Sequence, residues 1–349
     1  MDEEIARLRK ERQRLAGVPG QEDKRREMLN KIFRISSEQI KKEKARESAN
    51  SQAQAQEKMK QPRLNVHSRT KAVNIPLDIL QKIKDVMTLD NPAYLDAQKH
   101  GRWTGNLDPE IKLYTTTSEG ISFPRGWTRQ CLAMLSGHGI KPEIEDHRRT
   151  LEPIDISFAG ELRDYQQQAV ADVLRRDFGV LEAATGSGKT VMALSCIAAR
   201  QQPTLILIHN KELLYQWVAR IRSFLGLEPG LIGDGKFEVR PVTVGIVNTV
   251  RKHLDSLPEH FGHVVVDEAH RTPAAMFTEA VQAFDGRYML GLSATPYRRD
   301  GLTRLICITL GDRVHSVDAA MLRDNGAVLA PEIIRPETNF RYAYQDDYQ

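Results

Sequence analysis

The sequence is poor in aromatic residues and in cysteine, and it has no long apolar run. Aromatic side chains make up 6% of its 349 residues, and the cysteines, Cys131, Cys196 and Cys307, lie far apart without a C-x-x-C pair. A disulfide scaffold and a cysteine-ligated zinc cluster are therefore not expected, and a reducing cytoplasmic setting, or the nucleus in a eukaryote, is predicted. No stretch of about 18 uncharged apolar residues occurs, which argues against a membrane-spanning protein.

An excess of charge of one sign is also missing. The formal net charge is +4, from 50 basic and 46 acidic residues. This balance permits a nucleic-acid partner without indicating one. The acidic start, Met1 to Glu4, lacks the apolar segment of a secretory signal. The length itself indicates two or three domains.

Residues 1–60 differ in composition from the rest of the chain. They carry 16 Lys or Arg and 11 Asp or Glu, and Phe33 is their only aromatic residue. The Gly-Val-Pro-Gly segment at 17–20 interrupts any helix, so we expect two charged helices around it and a Ser/Ala/Gln linker over 48–56. Two interpretations remain: a solvated or disordered arm, or a helical arm that docks a protein partner or nucleic acid.

Residues 72–150 predict a small mixed α/β module. Helical apolar spacing runs from Ile75 to Met87 and ends at Asn91-Pro92. Aromatic and basic residues then follow, interleaved along the chain: Tyr94, Lys99, His100, Arg102, Trp103, Tyr114, Phe123, Arg125, Trp127 and Arg129. This mixture suits nucleic-acid binding through backbone contacts and base stacking, and it equally suits core aromatics with a solvated rim.

From residue 160 onward, short apolar strands alternate with helices. The predicted strands are Val180–Ala183, Thr204–Ile208, Val242–Val247, His263–Val266 and Tyr288–Leu292. A helix over Glu212–Leu225 places these residues on one apolar face: Leu214, Trp217, Val218, Ile221 and Leu225. Near-continuous apolar strands separated by helices indicate an α/β fold with a parallel sheet.

Residues 183–190, with the sequence AATGSGKT, lie between a predicted strand and a predicted helix. This is the context of a P-loop, with Ala183 in place of the first glycine. Backbone N–H groups and the helix N-terminus form a phosphate site, so we expect Lys189 at the β- and γ-phosphates of ATP and the Thr190 hydroxyl on Mg²⁺. The residues expected to bind the nucleotide here are Thr185, Gly186, Ser187, Gly188, Lys189 and Thr190.

Two adjacent carboxylates, Asp267 and Glu268, follow the apolar run 264–266. Ligands of parallel sheets bind at the carboxyl ends of the strands, and we expect this strand to neighbour the P-loop strand. Asp267 would then hold Mg²⁺ through water, and Glu268 would orient or deprotonate the attacking water.

A third polar segment, GLSATP at 291–296, follows another apolar strand. The hydroxyls of Ser293 and Thr295 are expected to hydrogen-bond the two acids and His270. Such a link would transmit the state of the γ-phosphate to a nucleic-acid site.

The motifs ATGSGKT, DEAH and SAT, in this order, resemble motifs I, II and III of superfamily 2 helicases. The segment GLSATPYRRDGL is similar to the corresponding sequence in the XPB/UvsW-like branch of these helicases. The fragments DNPAYLDAQKHGRW and SFPRGW resemble the segment before the motor in helicases of TOTE-type conflict systems and their phage relatives. The resemblance covers residues 75–335. It implies a RecA-like lobe over 160–315, DNA-stimulated ATP hydrolysis, and a DNA-recognition role for residues 72–150.

The resemblance also implies roles for single residues. The segment Arg163 to Gln166 is similar to the Q-motif region, where both residues would contact the nucleotide and Gln166 would read adenine. Residues 204–217 and 244–250 are similar to motifs Ia and Ib, which contact the nucleic-acid backbone. The candidates there are Asn210, Lys211, Gln216, Asn248 and Thr249. The partner would be single- or double-stranded DNA, and RNA is not distinguished from it.

Helicase motors of this class carry arginine fingers on a second RecA-like lobe. We find no Q-x-x-G-R-x-x-R-like motif from Gly311 to Gln349, and residues 316–349 resemble the linker toward that lobe. An arginine finger is worth about 10³–10⁵ in rate in GTPases, so we expect feeble ATP hydrolysis unless a second lobe is supplied in cis or in trans. Two alternatives remain: a non-catalytic nucleotide- and DNA-binding adaptor, and the motor subunit of a defence or restriction complex.

Overall fold

A computed structural model describes residues 61–268, 274–294, 303–318 and 321–322, together with scattered positions between residues 7 and 44. The chain divides into two compact units, Met1–Pro62 and Arg63–Gln349. The described positions of the first unit between residues 7 and 44 are helical. The predicted break at 17–20 and the linker at 48–56 lie outside the described residues, so the organisation of the arm stays a prediction.

The second unit begins with a small module of mixed architecture. Its strands are β1 (Arg63–Val66), β2 (Arg69–Val73), β3 (Thr88–Asp90), β4 (Glu110–Lys112), β5 (Thr115–Thr117), β6 (Gly120–Pro124) and β7 (Glu143–Asp146). Its helices are α1 (Leu77–Val86), α2 (Pro92–Lys99) and α3 (Thr128–Gly137). One sheet has the order β5-β6-β2-β1-β7, in which β7 pairs parallel to β1 and the other pairs are antiparallel, and β3 pairs with β4. The mixed α/β prediction is confirmed.

The larger sheet carries the motifs. Its strands are β8 (Phe178–Ala183), β9 (Thr204–Ile208), β10 (Gly230–Gly233), β11 (Lys236–Glu238), β12 (Val242–Ile246), β13 (His263–Asp267), β14 (Tyr288–Ser293) and β15 (Arg313–Val317). The order is β11-β10-β12-β9-β13-β14-β8-β15, and β11 is antiparallel to β10 while the other neighbours pair parallel. The parallel strands therefore end at one common edge.

Helices connect these strands and cover both faces of the sheet. They are α4 (Asp164–Leu174), α5 (Lys189–Arg200), α6 (Lys211–Leu225), α7 (Val247–Val250), α8 (Ala274–Ala283) and α9 (Thr303–Leu310). Side chains alternate along β9: Leu205 and Leu207 join one hydrophobic cluster, and Ile206 and Ile208 join the other. The buried residues of α6 are the five that its apolar spacing predicts. The predicted parallel α/β sheet is confirmed.

The module packs directly on the lobe. Its buried residues share one hydrophobic cluster with those of α9 and one face of the large sheet. Arg125 is fully buried in this joint and donates from Nη1 to the Gly286 carbonyl at 2.7 Å, and burial lowers the pKa of Arg125 to about 10. Arg149 donates to both carboxylate oxygens of Asp285, with Nη2 to Oδ2 at 2.9 Å. These contacts make the module and the lobe one compact unit.

Several elements differ from the sequence predictions. The strands β10, β11 and β15 were not predicted, and β15 extends past residue 315, where the sequence places the end of the lobe. Val247, predicted to end a strand, begins α7 instead. The strands β1 and β2 belong to the module and start before residue 72. Among the described residues, we find no helix that is both long and apolar enough to span a membrane.

Candidate functional site

The P-loop connects β8 to α5 through two glycines in the left-handed region. Gly186 has φ +87° and Gly188 has φ +82°, which L side chains adopt rarely. A Cβ atom on Gly188 would also lie 2.5 Å from the Gln166 side-chain nitrogen. Lys189 donates from Nζ to the Ala183 carbonyl at 2.9 Å and so lies across the mouth of the loop. Of the other predicted nucleotide residues, Thr185 is exposed and Ser187 is buried.

Two side chains at the start of α4 hydrogen-bond to the P-loop backbone. The Gln166 side-chain nitrogen donates to the Ser187 carbonyl at 2.9 Å, and the Tyr165 hydroxyl donates to the same oxygen at 3.1 Å. The Gln166 side-chain oxygen accepts from the Arg163 backbone N–H at 3.0 Å. The structure thus places the Q-motif-like segment against the P-loop. The adenine-reading role of Gln166 stays a prediction, and Tyr165 is a contact that the sequence reasoning missed.

The acid pair lies at the carboxyl end of β13. Asp267 is buried, and its Oδ2 accepts a hydrogen bond from the Trp217 indole N–H at 2.8 Å. Burial raises the pKa of Asp267, the indole hydrogen bond opposes this rise, and the charge of Glu268 adds to it. Glu268 has φ +50°, a backbone conformation that costs a non-glycine residue energy and that clusters at functional sites.

The strand β14 lies between the P-loop strand and the acid strand. Asp267 pairs with Leu292 of β14, and Leu292 pairs in turn with Leu181 of β8. The expectation that β8 and β13 are direct neighbours is therefore wrong. Ser293, buried at the end of β14, occupies the position between the two sites. Thr295, the second predicted hydroxyl, and His270, a predicted partner of both hydroxyls, lie outside the described residues, so the coupling role stays a prediction.

A cavity of about 420 Å³ opens between α5, α6 and the end of β13. It is lined by the Thr190 and Asp267 side chains, which were predicted as Mg²⁺ contacts, and by Leu213, Gln216, Trp217, Ala219, Arg220 and Ser223. A hydroxyl and a carboxylate that share one cavity supply the oxygen ligands that Mg²⁺ prefers. The residues therefore fit this ion. Burial lowers the pKa of Lys189, and the charges of Glu268 and Asp267 oppose that effect.

Four of the five predicted nucleic-acid residues lie just after the ends of β9 and β12. These strands are neighbours, with Ile208 paired to Ile246, so α6 and α7 begin side by side. Asn210 caps α6 and accepts from the Leu213 N–H at 2.9 Å, and Lys211 forms an ion pair with Asp234 at 2.8 Å.

The remaining three nucleic-acid candidates are less uniform in position. Gln216 lines the cavity beside Asp267 rather than the start of its helix. Asn248 is exposed on α7, and Thr249 is half-buried beside it. The structure thus brings four of the five candidates together at the starts of α6 and α7. It places Gln216 in the cavity that Thr190 and Asp267 line. Trp217 and Arg220, which line that cavity, were missed as site residues because sequence spacing assigned Trp217 only to the apolar face of α6.

A glycine-rich phosphate loop and paired carboxylates at the edge of a parallel sheet define a P-loop nucleotide-binding lobe. Residues 159–298 match the model of a family described as type III restriction enzyme, res subunit. The probable helicase D10 of Escherichia phage T5 is 36% identical over 187 residues, 53% of this chain and 41% of that protein. The DNA 3'-5' translocase XPB2 of Sulfurisphaera tokodaii is 36% identical over 155 residues, 44% of this chain and 35% of that protein.

A crystal structure of the UvsW helicase from bacteriophage T4 shares the fold. It has a TM-score of 0.54 and 19% identity, and the match covers 72% of this chain and 99% of that chain. These similarities confirm the resemblance to the first RecA-like lobe of superfamily 2 helicases. The chain spans less than half the length of the two curated relatives.

Proposed function

We propose that this chain is the motor core of an ATP-dependent DNA helicase or translocase, which couples ATP hydrolysis to the remodelling of nucleic acid. A second RecA-like lobe, in cis or in trans, would complete it. The observation that carries the proposal is the cavity shared by Thr190 and Asp267, next to the P-loop lysine and Glu268. A binding fold without catalysis has no need of this pair of acids beside a P-loop.

The side chains divide the chemistry among them. The Lys189 ammonium exchanges the Ala183 carbonyl for phosphate oxygens when ATP arrives. Thr190 and Asp267 would hold Mg²⁺, which neutralises phosphate charge when bound. Glu268 accepts the proton of the attacking water. The segment from Arg163 to Gln166 contacts the base side of the nucleotide and braces the P-loop through Ser187.

Nucleic acid would lie along the edge where α6 and α7 begin. Asn210 and Lys211 at the start of α6, together with Asn248 and Thr249 on α7, offer donors along one strip, in the manner of a phosphate-backbone contact. Lys211 would exchange Asp234 for a phosphate. The module at 72–150 would recognise DNA, and the charged arm at 1–60 would dock a protein partner.

One alternative is supported by a specific observation. The family description matched by residues 159–298 names a restriction enzyme subunit, so the same lobe could serve as the motor of a defence or restriction complex with a partner nuclease. A non-catalytic adaptor is the other alternative, and the intact Lys189, Asp267 and Glu268 argue against it. The restriction or defence motor would hydrolyse ATP as the helicase does and would differ from it only in its partner. The adaptor would bind ATP without hydrolysing it.

The test is ATP binding and hydrolysis, with and without single- and double-stranded DNA, by the protein mixed with a second-lobe partner. We expect hydrolysis that DNA stimulates and that Lys189→Ala abolishes. ATP binding without any hydrolysis in the completed motor would support the adaptor instead. Absence of ATP binding would overturn the proposal.

A further inference from the structure

A tryptophan on α6 holds the carboxylate expected to bind Mg²⁺. Trp217 is 1% exposed, and its indole N–H donates to Asp267 Oδ2 at 2.8 Å. A buried indole N–H costs free energy unless it is hydrogen-bonded, and a buried carboxylate needs donors for the same reason. The contact therefore satisfies both groups. It also fixes the rotation of the carboxyl plane, because one of its two oxygens is tied to a rigid ring.

We propose that Trp217 is a positioning residue that orients Asp267 toward the metal. The inference rests on the proposed function of the site. Trp217 and Asp267 both line the cavity that contains Thr190, so the indole acts within the space that the metal and the phosphates would occupy. Partners that orient metal ligands through hydrogen bonds typically contribute roughly 10- to 100-fold to metal affinity.

The Trp217–Asp267 hydrogen bond connects the proposed Mg²⁺ site to α6, the helix whose start is proposed to bind nucleic acid. Asn210 caps α6, Lys211 begins it, and Trp217 lies less than two turns further along. A phosphate backbone that displaces the start of α6 would therefore shift the indole and the carboxylate that it holds. Because such coupling is reciprocal, nucleic acid should change the affinity for Mg²⁺-nucleotide, and nucleotide should change the affinity for nucleic acid by the same factor.

The test compares the wild type with Trp217→Phe, which keeps an aromatic ring and removes the N–H. Binding of a fluorescent ADP analogue is measured over a series of Mg²⁺ concentrations and in EDTA. We expect the Mg²⁺ concentration for half-maximal binding to rise at least tenfold, while binding in EDTA stays within about twofold. Trp127→Phe, which removes a buried indole from the module, is the matched control and should match the wild type. Equal melting temperatures of the variants show that folding is intact.

A double-mutant cycle separates positioning from packing. In an Asp267→Ala background, Trp217→Phe should have no further effect on the Mg²⁺ dependence, because its partner is gone. An unchanged Mg²⁺ dependence in Trp217→Phe, or an equal loss in EDTA, would overturn the positioning role while leaving the proposed function standing. A wild type that binds no nucleotide at any Mg²⁺ concentration would overturn both.

An independent observation concerns the hairpin of β10 and β11. Phe237 on β11 is 52% exposed. The centroid of its ring lies 4.5 Å from the centroid of the His253 imidazole, with an angle of 48° between the two ring planes. His253 ends the short helical turn that follows α7. The tip of the hairpin is tied to α6, because Asp234 pairs with Lys211 and accepts from the Tyr215 hydroxyl at 2.6 Å. The exposed ring is thus fixed beside the starts of α6 and α7.

Two exposed lysines adjoin this pair of rings in the sequence. Lys236 precedes Phe237 and Lys252 precedes His253; both side chains are exposed, and within the part of the chain that the structure describes neither forms an ion pair. An exposed aromatic ring on elements that also carry unpaired lysines supplies the stacking and the backbone charge that single-stranded nucleic acid uses. Phe237 and the neighbouring exposed Val239 together are smaller than the continuous apolar patches that mark protein interfaces.

We infer that Phe237 stacks on an unpaired base of single-stranded DNA that runs along the α6–α7 edge. This inference rests on the proposed nucleic-acid binding of the lobe. It adds to that binding a contact from a hairpin that none of the sequence motifs includes. Because every base has a π-face, the contact would be tolerant of sequence.

The test measures binding of a labelled oligo(dT) strand and of a DNA duplex over a salt series. We expect Phe237→Ala to weaken oligo(dT) binding about tenfold and duplex binding less than twofold, without changing the salt dependence. Phe237→Trp should restore binding, Val239→Ala on the neighbouring exposed position is the matched control, and Lys252→Ala should lower the salt slope. An oligo(U) arm reports whether RNA is bound equally.

Two results would contradict the stacking contact. Wild-type affinity for oligo(dT) in Phe237→Ala would overturn it without affecting the rest of the proposed nucleic-acid surface. An equal loss for single strands and duplex would show that Phe237 acts through the fold of the hairpin. A wild type that binds neither strand nor duplex would overturn the proposed DNA binding itself.

Discussion

The ammonium group of Lys189 donates a hydrogen bond to the carbonyl oxygen of Ala183 across the P-loop, at 2.9 Å. Ala183 is the last residue of β8 and Lys189 is the first residue of α5, so the lysine side chain spans the five-residue loop 184–188 that lies between them. The cation therefore lies at the mouth of the loop that we propose to bind phosphate. Its carbonyl partner is a weaker acceptor than a charged phosphate oxygen, so exchange on ATP binding is favourable.

Replacing this lysine should remove ATP turnover. We expect Lys189→Ala to weaken ATP binding at least tenfold and to abolish hydrolysis, because the only side-chain cation of the P-loop is lost. Isothermal titration with ATP and a phosphate-release assay measure the two effects. Lys141→Ala, at an exposed position of the module, is the control. Turnover above background in Lys189→Ala would contradict the assigned role.

Glu268 should be needed for hydrolysis and not for binding. Glu268→Gln keeps the shape of the side chain and removes the base, so the completed motor should lose about 10²–10⁴ in hydrolysis rate while ATP affinity changes little. Single-turnover measurements with excess enzyme separate the two quantities. Glu259→Gln, at an exposed acidic position, should leave both unchanged. If Glu268→Gln retained full turnover, another group would have to serve as the base.

A polypeptide of these 349 residues should be a slow ATPase by itself. No Q-x-x-G-R-x-x-R-like motif is found between Gly311 and Gln349, and arginine fingers contribute about 10³–10⁵ to phosphoryl transfer where measured in GTPases. Adding a protein that carries a second RecA-like lobe should raise the rate by at least 100-fold. Fast, DNA-stimulated hydrolysis by the polypeptide without that addition would show that the missing cation comes from self-assembly or from an unrecognised arginine.

The joint between module and lobe should weaken in acid. Asp146 accepts from the Arg148 guanidinium, which also donates to Asp177 at 2.9 Å, and the hydrogen bond from Arg148 lowers the pKa of Asp146. A carboxyl with a lowered folded-state pKa contributes stability above its unfolded pKa, near 4, and loses it as pH falls through the folded value.

Urea unfolding at a series of pH values tests this joint. Asp146→Asn should lower the free energy of unfolding by up to about 1 kcal/mol at pH 7, a value kept small because the carboxyl is partly exposed. The variant and the wild type should converge as pH falls below 4. Asp155→Asn, at an exposed position, should be indistinguishable from the wild type throughout. A constant difference at every pH would mean that the loss comes from packing instead.

The motifs and the parallel sheet could be predicted because their signals are local. Apolar strands followed by polar loops identified β8, β9, β13 and β14, and a 3.6-residue period identified the buried face of α6. β10 and β15 lacked such a signal: β10 is short and glycine-flanked, and β15 places His315 and Ser316 in the sheet. Strand order is set by packing between distant segments, which explains why the place of β14 between β8 and β13 was not foreseen.

Side-chain partners within the site were harder to predict than its members. Trp217 reads as an ordinary apolar residue of an amphipathic helix, and only the fold brings its indole to Asp267. The signal that could have found it is chemical: a fully buried tryptophan needs an acceptor for its N–H. Gln216 was assigned to nucleic acid by motif resemblance, yet it lines the cavity of Thr190 and Asp267 because it adjoins Trp217 on α6.

The close backbone contact between Gly126 and the end of α9 limits which truncations of the protein can stay folded. A Cβ atom on Gly126 would lie 2.5 Å from the backbone nitrogen of Gly311, so the module and the end of α9 meet backbone to backbone. A truncated protein that began at residue 159, where the family match starts, would uncover this close-fitting apolar joint. We expect such a protein to aggregate, because the module would no longer cover the apolar face that it shares with the lobe.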